Sequence, residues 1–164
     1  MRKFMRHKYM MLGVISGTVV ALDQATKWLI TRFLNYYQEI TVIPNFFNLI
    51  YVHNPGGAFG VFAKNHSGLQ SLLFIGVACG AMSLIVYLYK NTSSEYPALL
   101  SGLALIFGGA LGNLIDRLRI GKVVDFMDFY VSHWHWPAFN VADSAITVGM
   151  VIFGFYILFR KIPM

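Results

Sequence analysis

Residues 69–89 and 96–115 contain no charged side chain. Runs of that length restrict folding more than any motif, because about 20 residues of helix, rising roughly 1.5 Å each, cover the ~30 Å hydrocarbon layer of a bilayer. Two further segments fit the same description with polar ends. Residues 141–159 carry one charge, Asp143, near their start, and residues 9–29 are uncharged as far as Leu22, before Asp23 and Lys27. Only 12% of the 164 residues are charged, about half the share of a soluble domain, so the chain lacks the charge to coat a surface in water. These features predict an all-α integral membrane protein. It is read as one domain over residues 1–164, with four transmembrane helices at about 9–29, 69–89, 96–115 and 141–159.

Arg2, Lys3, Arg6 and Lys8 precede the first run. A secretory signal peptide begins the same way, but no small-residue cleavage site follows and further spans come later, so the segment is expected to stay in the protein. Together with Lys90, Arg160 and Lys161, these residues face Arg32, Lys64, Arg117, Arg119 and Lys122 on the opposite side. Basic residues favour the cytoplasm and the first helix usually dominates, which predicts cytoplasmic termini. The net charge of +6 therefore reads as topology, not as a nucleic-acid surface. With Cys79 as the sole cysteine, no internal disulfide can form.

That orientation sorts the acidic residues. Asp23, Glu39, Asp116, Asp125, Asp128 and Asp143 fall towards the extracytoplasmic side, and Glu95 alone towards the other. Residues 38–62, rich in Val, Ile, Phe and Tyr and bounded by Asn-Pro-Gly-Gly, read as short strands and a turn on the outer membrane surface. Trp28, Trp134 and Trp136, with Tyr36 and Tyr37, suit the aromatic belt of the interface.

Asp125 and Asp143 are the central candidates. Two neighbouring carboxylates share a proton, so that one activates water while the other protonates an amide. Each has a plainer reading: Asp125 as a solvated loop carboxylate, Asp143 as the third residue of a capping box begun by Asn140. Asp128 is a third candidate. Asp23 and Lys27, four apart on a helix, can pair. Arg117 can hold Asp116 or reach a phosphate, and Asn54, before Pro55-Gly56-Gly57, is a turn residue or a donor to a peptide. His133 and His135 with Asp125 or Asp128 offer a weak metal site. Ser144 with Lys122 or Lys27 offers an unsupported Ser–Lys pair.

The stretches Asp23-Gln-Ala-Thr-Lys27, Asn54-Pro-Gly-Gly-Ala-Phe59, Gly109-Ala-Leu-Gly-Asn-Leu-Ile-Asp-Arg117, Val123-Val-Asp-Phe126 and Phe139-Asn-Val-Ala-Asp143 together resemble the motif set of the lipoprotein signal peptidases, the type II signal peptidases of bacteria. Five motifs in order over nearly the whole chain are specific where one would not be. The second motif has Gly57 where the family often has Ala, which loosens a turn without touching the chemistry.

The resemblance implies an aspartic endopeptidase of the bacterial inner membrane. Such an enzyme removes the signal peptide of a prolipoprotein just before a diacylglyceryl-modified cysteine. Asp125 and Asp143 then fall on the catalytic pair, Asn54, Asn113, Arg117 and Asn140 on substrate-binding or supporting positions, and Asp23, Lys27 and Asp116 on structural ones. It implies no cofactor and no metal; the partners are the lipid-modified substrate and membrane lipids, with no nucleic acid, and the chain is expected to act as a monomer. The rivals are a non-catalytic transport or binding protein, whose carboxylates would be spread through bilayer depth, and a metal-dependent membrane hydrolase.

Overall fold

The computed structural model describes residues 2–56 and 68–159. Residues 57–62 of the predicted surface segment, the Gly57–Phe59 part of its motif, and Lys64, Arg160 and Lys161 lie outside them. Among the described residues, four helices and four strands follow in the order α1 (Arg2–Phe33), β1 (Glu39–Ile43), β2 (Phe47–Asn54), α2 (Gly68–Asn91), α3 (Pro97–Ile120), β3 (Val123–Val131), β4 (Trp134–His135) and α4 (Val141–Phe159).

Three helical stretches, Ser71–Asn91, Pro97–Ile120 and Val141–Phe159, are long and apolar enough to cross a membrane among the described residues. α1 has the length, at 32 residues, but Asp23, Gln24 and Lys27 interrupt its apolar run. α3 is the central helix. Within the protein 61% of its most apolar stretch is buried, against 6% for α2 and 17% for α4. Leu72, Leu73, Val77 and Leu84 of α2 and Val151 and Leu158 of α4 are exposed, a surface suited to lipid and costly in water. Glycines let α3 approach its neighbours: a Cβ on Gly108 would meet the Ser16 backbone at 2.9 Å, and one on Gly109 would strike the Ala142 carbonyl oxygen. α3 opens on Pro97 and closes on Gly121, whose φ of 74° is left-handed and whose N–H reaches the Arg117 carbonyl.

The sheet corrects the all-α expectation. Its order is β1-β2-β3-β4 with antiparallel neighbours, and half of it comes from the connection between α3 and α4. The segment Val-Val-Asp-Phe-Met-Asp-Phe-Tyr-Val is β-branched and aromatic. It pairs with β2 so that Asp125 lies opposite Val52 and Asp128 opposite Asn48. Asp125 is thus a strand residue, not a loop carboxylate.

Two apolar clusters mark the ends of the molecule. Ile85, Tyr89, Leu99, Leu100 and Leu103 pack with Met11 and Leu12 at one end, where Lys8 Nζ donates to the Lys90 and Thr92 carbonyls at 3.0 and 2.6 Å. At the other end, Ile30 and Leu34 of α1 pack against Val124 and Phe126 of β3, with Val141 at the edge. That second cluster seats the sheet over the end of α1 and lays β3 across the start of α4. The exposed Trp28, Tyr36, Tyr37, Trp134 and Trp136 share that end.

Candidate active site

Asn140 is the residue around which the site is built. It precedes α4, and its Oδ1 accepts the Asp143 N–H at 2.9 Å while its own N–H donates to Asp143 Oδ2 at 3.3 Å. This is the reciprocal capping box expected from the spacing. The cap occupies only part of the side chain. Asn140 Nδ2 turns to β3 and donates to Asp125 Oδ1 at 2.6 Å, to the Val124 carbonyl at 3.2 Å and to Asn113 Oδ1 at 3.2 Å. One fully buried asparagine therefore touches both aspartates.

Each carboxylate has a second donor. Asn54 Nδ2 reaches Asp125 Oδ2 at 3.0 Å while its Oδ1 accepts the Gly56 N–H at 2.9 Å. Asn54 is thus both the turn residue and the donor, and Gly56, at φ 104°, makes the turn possible. Asn113 Nδ2 reaches Asp143 Oδ1 at 2.7 Å. Asp125 is 2% exposed. Burial, with the negative charge of Asp143 beside it, pushes its carboxyl up to about 7 against the pull of Asn54 and Asn140. A carboxyl titrating there exchanges protons near neutral pH, as acid–base chemistry requires.

Behind the asparagines lies a buried ionic knot. Lys27 Nζ is 2.8 Å from Asp23 Oδ2, 2.8 Å from Asp116 Oδ2 and 2.9 Å from Asn113 Oδ1. Asp23 Oδ1 accepts the Ala142 N–H at 3.0 Å, tying α1 to the first turn of α4. Asp116 Oδ2 accepts the Val124 N–H at 3.2 Å, tying α3 to β3. Buried charges persist when paired and fully hydrogen-bonded, as these are.

Several sequence expectations need correction. Arg117 does not hold Asp116: one Nη donates weakly to the Asn113 carbonyl at 3.3 Å, and the guanidinium lies 5.6 Å from the Phe74 ring centre. Adjacent helical residues point about 100° apart, so Asp116 faces Lys27 while Arg117 turns away. Asp128, three residues along the strand from Asp125, meets Asn48 Nδ2 at 3.1 Å and His135 Nδ1 at 2.9 Å. That removes it from the pair, and it leaves a two-residue Asp–His contact. Among the described residues no three His, Cys, Asp or Glu side chains gather as a metal site. Ser144 Oγ donates to the Asn140 carbonyl at 3.0 Å, and Lys27 is spent on its three acceptors, so a Ser144–Lys27 pair has no geometry behind it.

Sequence reasoning missed the roles of Gln24 and of Phe74 beside Arg117. Gln24 Nε2 lies within 3.2 Å of Asp23 Oδ2, Asp116 Oδ1 and the Gly112 carbonyl. A Cβ on Gly112 would stand 2.7 Å from Asp23 Oδ2, so the knot needs glycine there. Gln24 had a signal: it sits inside the Asp23–Lys27 motif.

The fold and this site define an integral membrane protein with two aspartates, held by asparagines, at one end of its helices. The family model described as Signal peptidase (SPase) II matches residues 15–159. The lipoprotein signal peptidase of Desulforapulum autotrophicum is 50% identical over 152 residues, covering 93% of this chain and 94% of that protein. That of Syntrophus aciditrophicus is 40% identical over 148 residues, covering 90% and 91%. A bacterial membrane enzyme solved by the in meso method at 1.9 Å matches with TM-score 0.80 and 30% identity over 92% of this chain and 94% of that one. Another, at 2.3 Å, gives 0.80 and 32% over 90% and 87%. The chain belongs to the signal peptidase II family.

Proposed function

We propose that this member of the family is a membrane aspartic endopeptidase that cleaves prolipoproteins just before the lipid-modified cysteine, with Asp125 and Asp143 as its catalytic pair. The observation that carries the assignment is Asn140, whose side-chain amide donates to the Asp125 carboxylate while its backbone N–H donates to the Asp143 carboxylate in one buried setting. Asp143, in the first turn of α4, lies where free backbone N–H groups and the helix dipole favour an anion. Asp125 carries the shared proton.

In the reaction, the Asp143 carboxylate takes a proton from water as the water oxygen bonds to the scissile carbonyl carbon. Asp125 gives its proton to the carbonyl oxygen. When the tetrahedral diol collapses, the C–N bond breaks, the proton held by Asp143 passes to the leaving nitrogen, and Asp125 recovers a proton from the diol. Asn54, Asn113 and Asn140 orient the carboxyls, and the Arg117 guanidinium offers a fork of donors to a substrate carbonyl or lipid phosphate. Asp23, Lys27 and Asp116 hold the helix ends and β3 in register.

α1 is the fourth span, its polar residues turned inward to this site. With termini in the cytoplasm of the bacterial inner membrane, the aspartates lie near the extracytoplasmic face. A prolipoprotein then enters sideways, its acyl chains remaining in lipid. The enzyme acts as a monomer, as one unit over residues 1–164.

The test is cleavage of a lipidated prolipoprotein by the purified protein in detergent, scored by gel shift. Cleavage is expected to survive exhaustive EDTA treatment and the His133→Ala and His135→Ala substitutions. Loss on chelation, with recovery on adding zinc, would move the chemistry to a metal-dependent hydrolase. For topology, a reporter fused after Arg160 is expected to behave as cytoplasmic; an extracytoplasmic reporter would put the aspartates on the wrong face.

A further inference from the structure

We propose that Lys27 is a positioning residue for the hydrolysis: its buried ammonium fixes which way the Asn113 amide faces, so that Asp143 meets an N–H and never a carbonyl oxygen. This rests on the aspartate-pair reading and adds to it a reason for the pair's unequal members. Lys27 is 3% exposed, and its three N–H groups have three acceptors, Asp23, Asp116 and the Asn113 Oδ1. Two carboxylates already exceed its charge. The third bond, at 2.9 Å, goes to a neutral amide one atom group away from Asp143, where ion pairing has no use for it.

An amide group fits its site almost equally well in either orientation, and its neighbours decide between them. Asn113 Oδ1 receives Lys27 Nζ and, at 3.2 Å, Asn140 Nδ2. The second anchor is weak, because Asn140 Nδ2 has two hydrogens to divide among Asn113 Oδ1, the Val124 carbonyl and the closer Asp125 Oδ1. Lys27 is then the group that holds Oδ1 inward and aims Nδ2 at Asp143, and its charge strengthens that donor by polarising the amide. Without it, a rotated Asn113 would set oxygen against the Asp143 carboxylate. The anion would then lose a donor and meet a like partial charge.

Replacing Lys27 alone strands two buried carboxylates, so the informative variant is Lys27→Met with Asp116→Asn. Asp23, Asp116 and Lys27 together carry the same net charge as Asp23 alone, so burial of charge is balanced. Asp116→Asn by itself, which keeps the ammonium and its bond to Asn113, is the reference, and Lys27→Arg tests rescue by a cation with N–H donors. The measurement is the pH–rate profile of kcat and of kcat/KM in detergent, with folding checked by thermal melting. The double variant is expected to lose about 10- to 100-fold in kcat relative to the wild type, whose net charge in the knot it matches, and to fall well below Asp116→Asn, the worth of a hydrogen bond to a charged group. Its KM should hardly change, and its acid limb should move up by about one pH unit. Lys27→Arg should keep the wild-type limb even if kcat falls. If the double variant's profile overlies that of Asp116→Asn, with only stability or amplitude lower, Lys27 is merely structural and the proposal is wrong. Failure of the aspartate pair itself would show separately, as activity retained by the Asn variants of Asp125 or Asp143.

Discussion

Asp125→Asn and Asp143→Asn each reduce cleavage of a lipidated prolipoprotein to the level without enzyme, while the variant proteins are made and inserted as the wild type is. The reason is proton traffic. Amide and carboxyl have nearly the same shape, so packing survives, but an amide neither takes a proton from water nor delivers one near neutral pH. Groups that act as a unit fail together, and the residual rate after losing one member is commonly lower by factors of thousands or more. Asp143→Asn retains the helix cap, since Asn140 Oδ1 accepts the backbone N–H of residue 143 at 2.9 Å whatever side chain stands there. Gel-shift assays at substrate above KM, beside melting curves, check the outcome. Comparable cleavage by either variant removes aspartic catalysis.

Asn140→Ala has the next largest effect, a fall in kcat of about 100-fold or more. The substitution removes an N-cap, which costs about 0.5–2 kcal/mol of stability, and also the donor that reaches Asp125 Oδ1 at 2.6 Å. Losing a hydrogen bond to a charged or ionisable group costs about 1.5–3 kcal/mol where it matters, and each 1.4 kcal/mol is tenfold. Asn140→Ser separates the two roles. Serine caps a helix as well as asparagine does, but its short hydroxyl, taken up by the N–H of residue 143, lacks the amide that reaches Asp125. The serine variant is expected to melt close to the wild type and to cleave nearly as poorly as the alanine variant. Wild-type cleavage by Asn140→Ser would mean that the link between the carboxylates is irrelevant to rate.

Much of this arrangement was legible before the structure, for local reasons. Helix length and the absence of charge located α2, α3 and α4, and the Asn140-x-x-Asp143 spacing announced the cap that the structure contains. The four-residue spacing of Asp23 and Lys27 gave their ion pair. What local reasoning missed depends on distant contacts. β3 looked like a connection because its partner, β2, lies some 70 residues earlier in the chain, as in the Asn54 contact with Asp125. The pairing is written in neither segment alone.

Arg117 and Asp116 failed for a different reason. Opposite charges adjacent in sequence invite pairing on paper, yet the helix turns them apart, and Asp116 finds Lys27 of α1 instead. Gln24 was overlooked because a neutral amide between two charged residues looks like filler. Its value appears only when α3 supplies Asp116 and the Gly112 carbonyl as acceptors. Six carboxylates at one end of the helices were foreseeable; which of them face each other was not, since strand alternation sends Asp128 towards Asn48 and His135.

The claim that Asp125 and Asp143 share one proton, held by Asp125, is tested most directly by carboxyl-carbon NMR of protein labelled at aspartate. Assignment would come from the Asn variants, and the signals would be followed from pH 4 to pH 9. Because the two groups are coupled, rate profiles yield only values for the pair, whereas this probe reads each site. α4 begins at Val141 with Asn140 as its cap, so the N-terminal end of the helix favours the Asp143 anion. Burial and the adjacent charge bring the Asp125 carboxyl to about 7. The predicted result is an ionised Asp143 and a protonated Asp125 at pH 6. Asp125 should release its proton as the pH passes about 7, and cleavage should fall as both groups become anionic. A proton found on Asp143 at pH 6, or both carboxyls ionised there, would contradict the account.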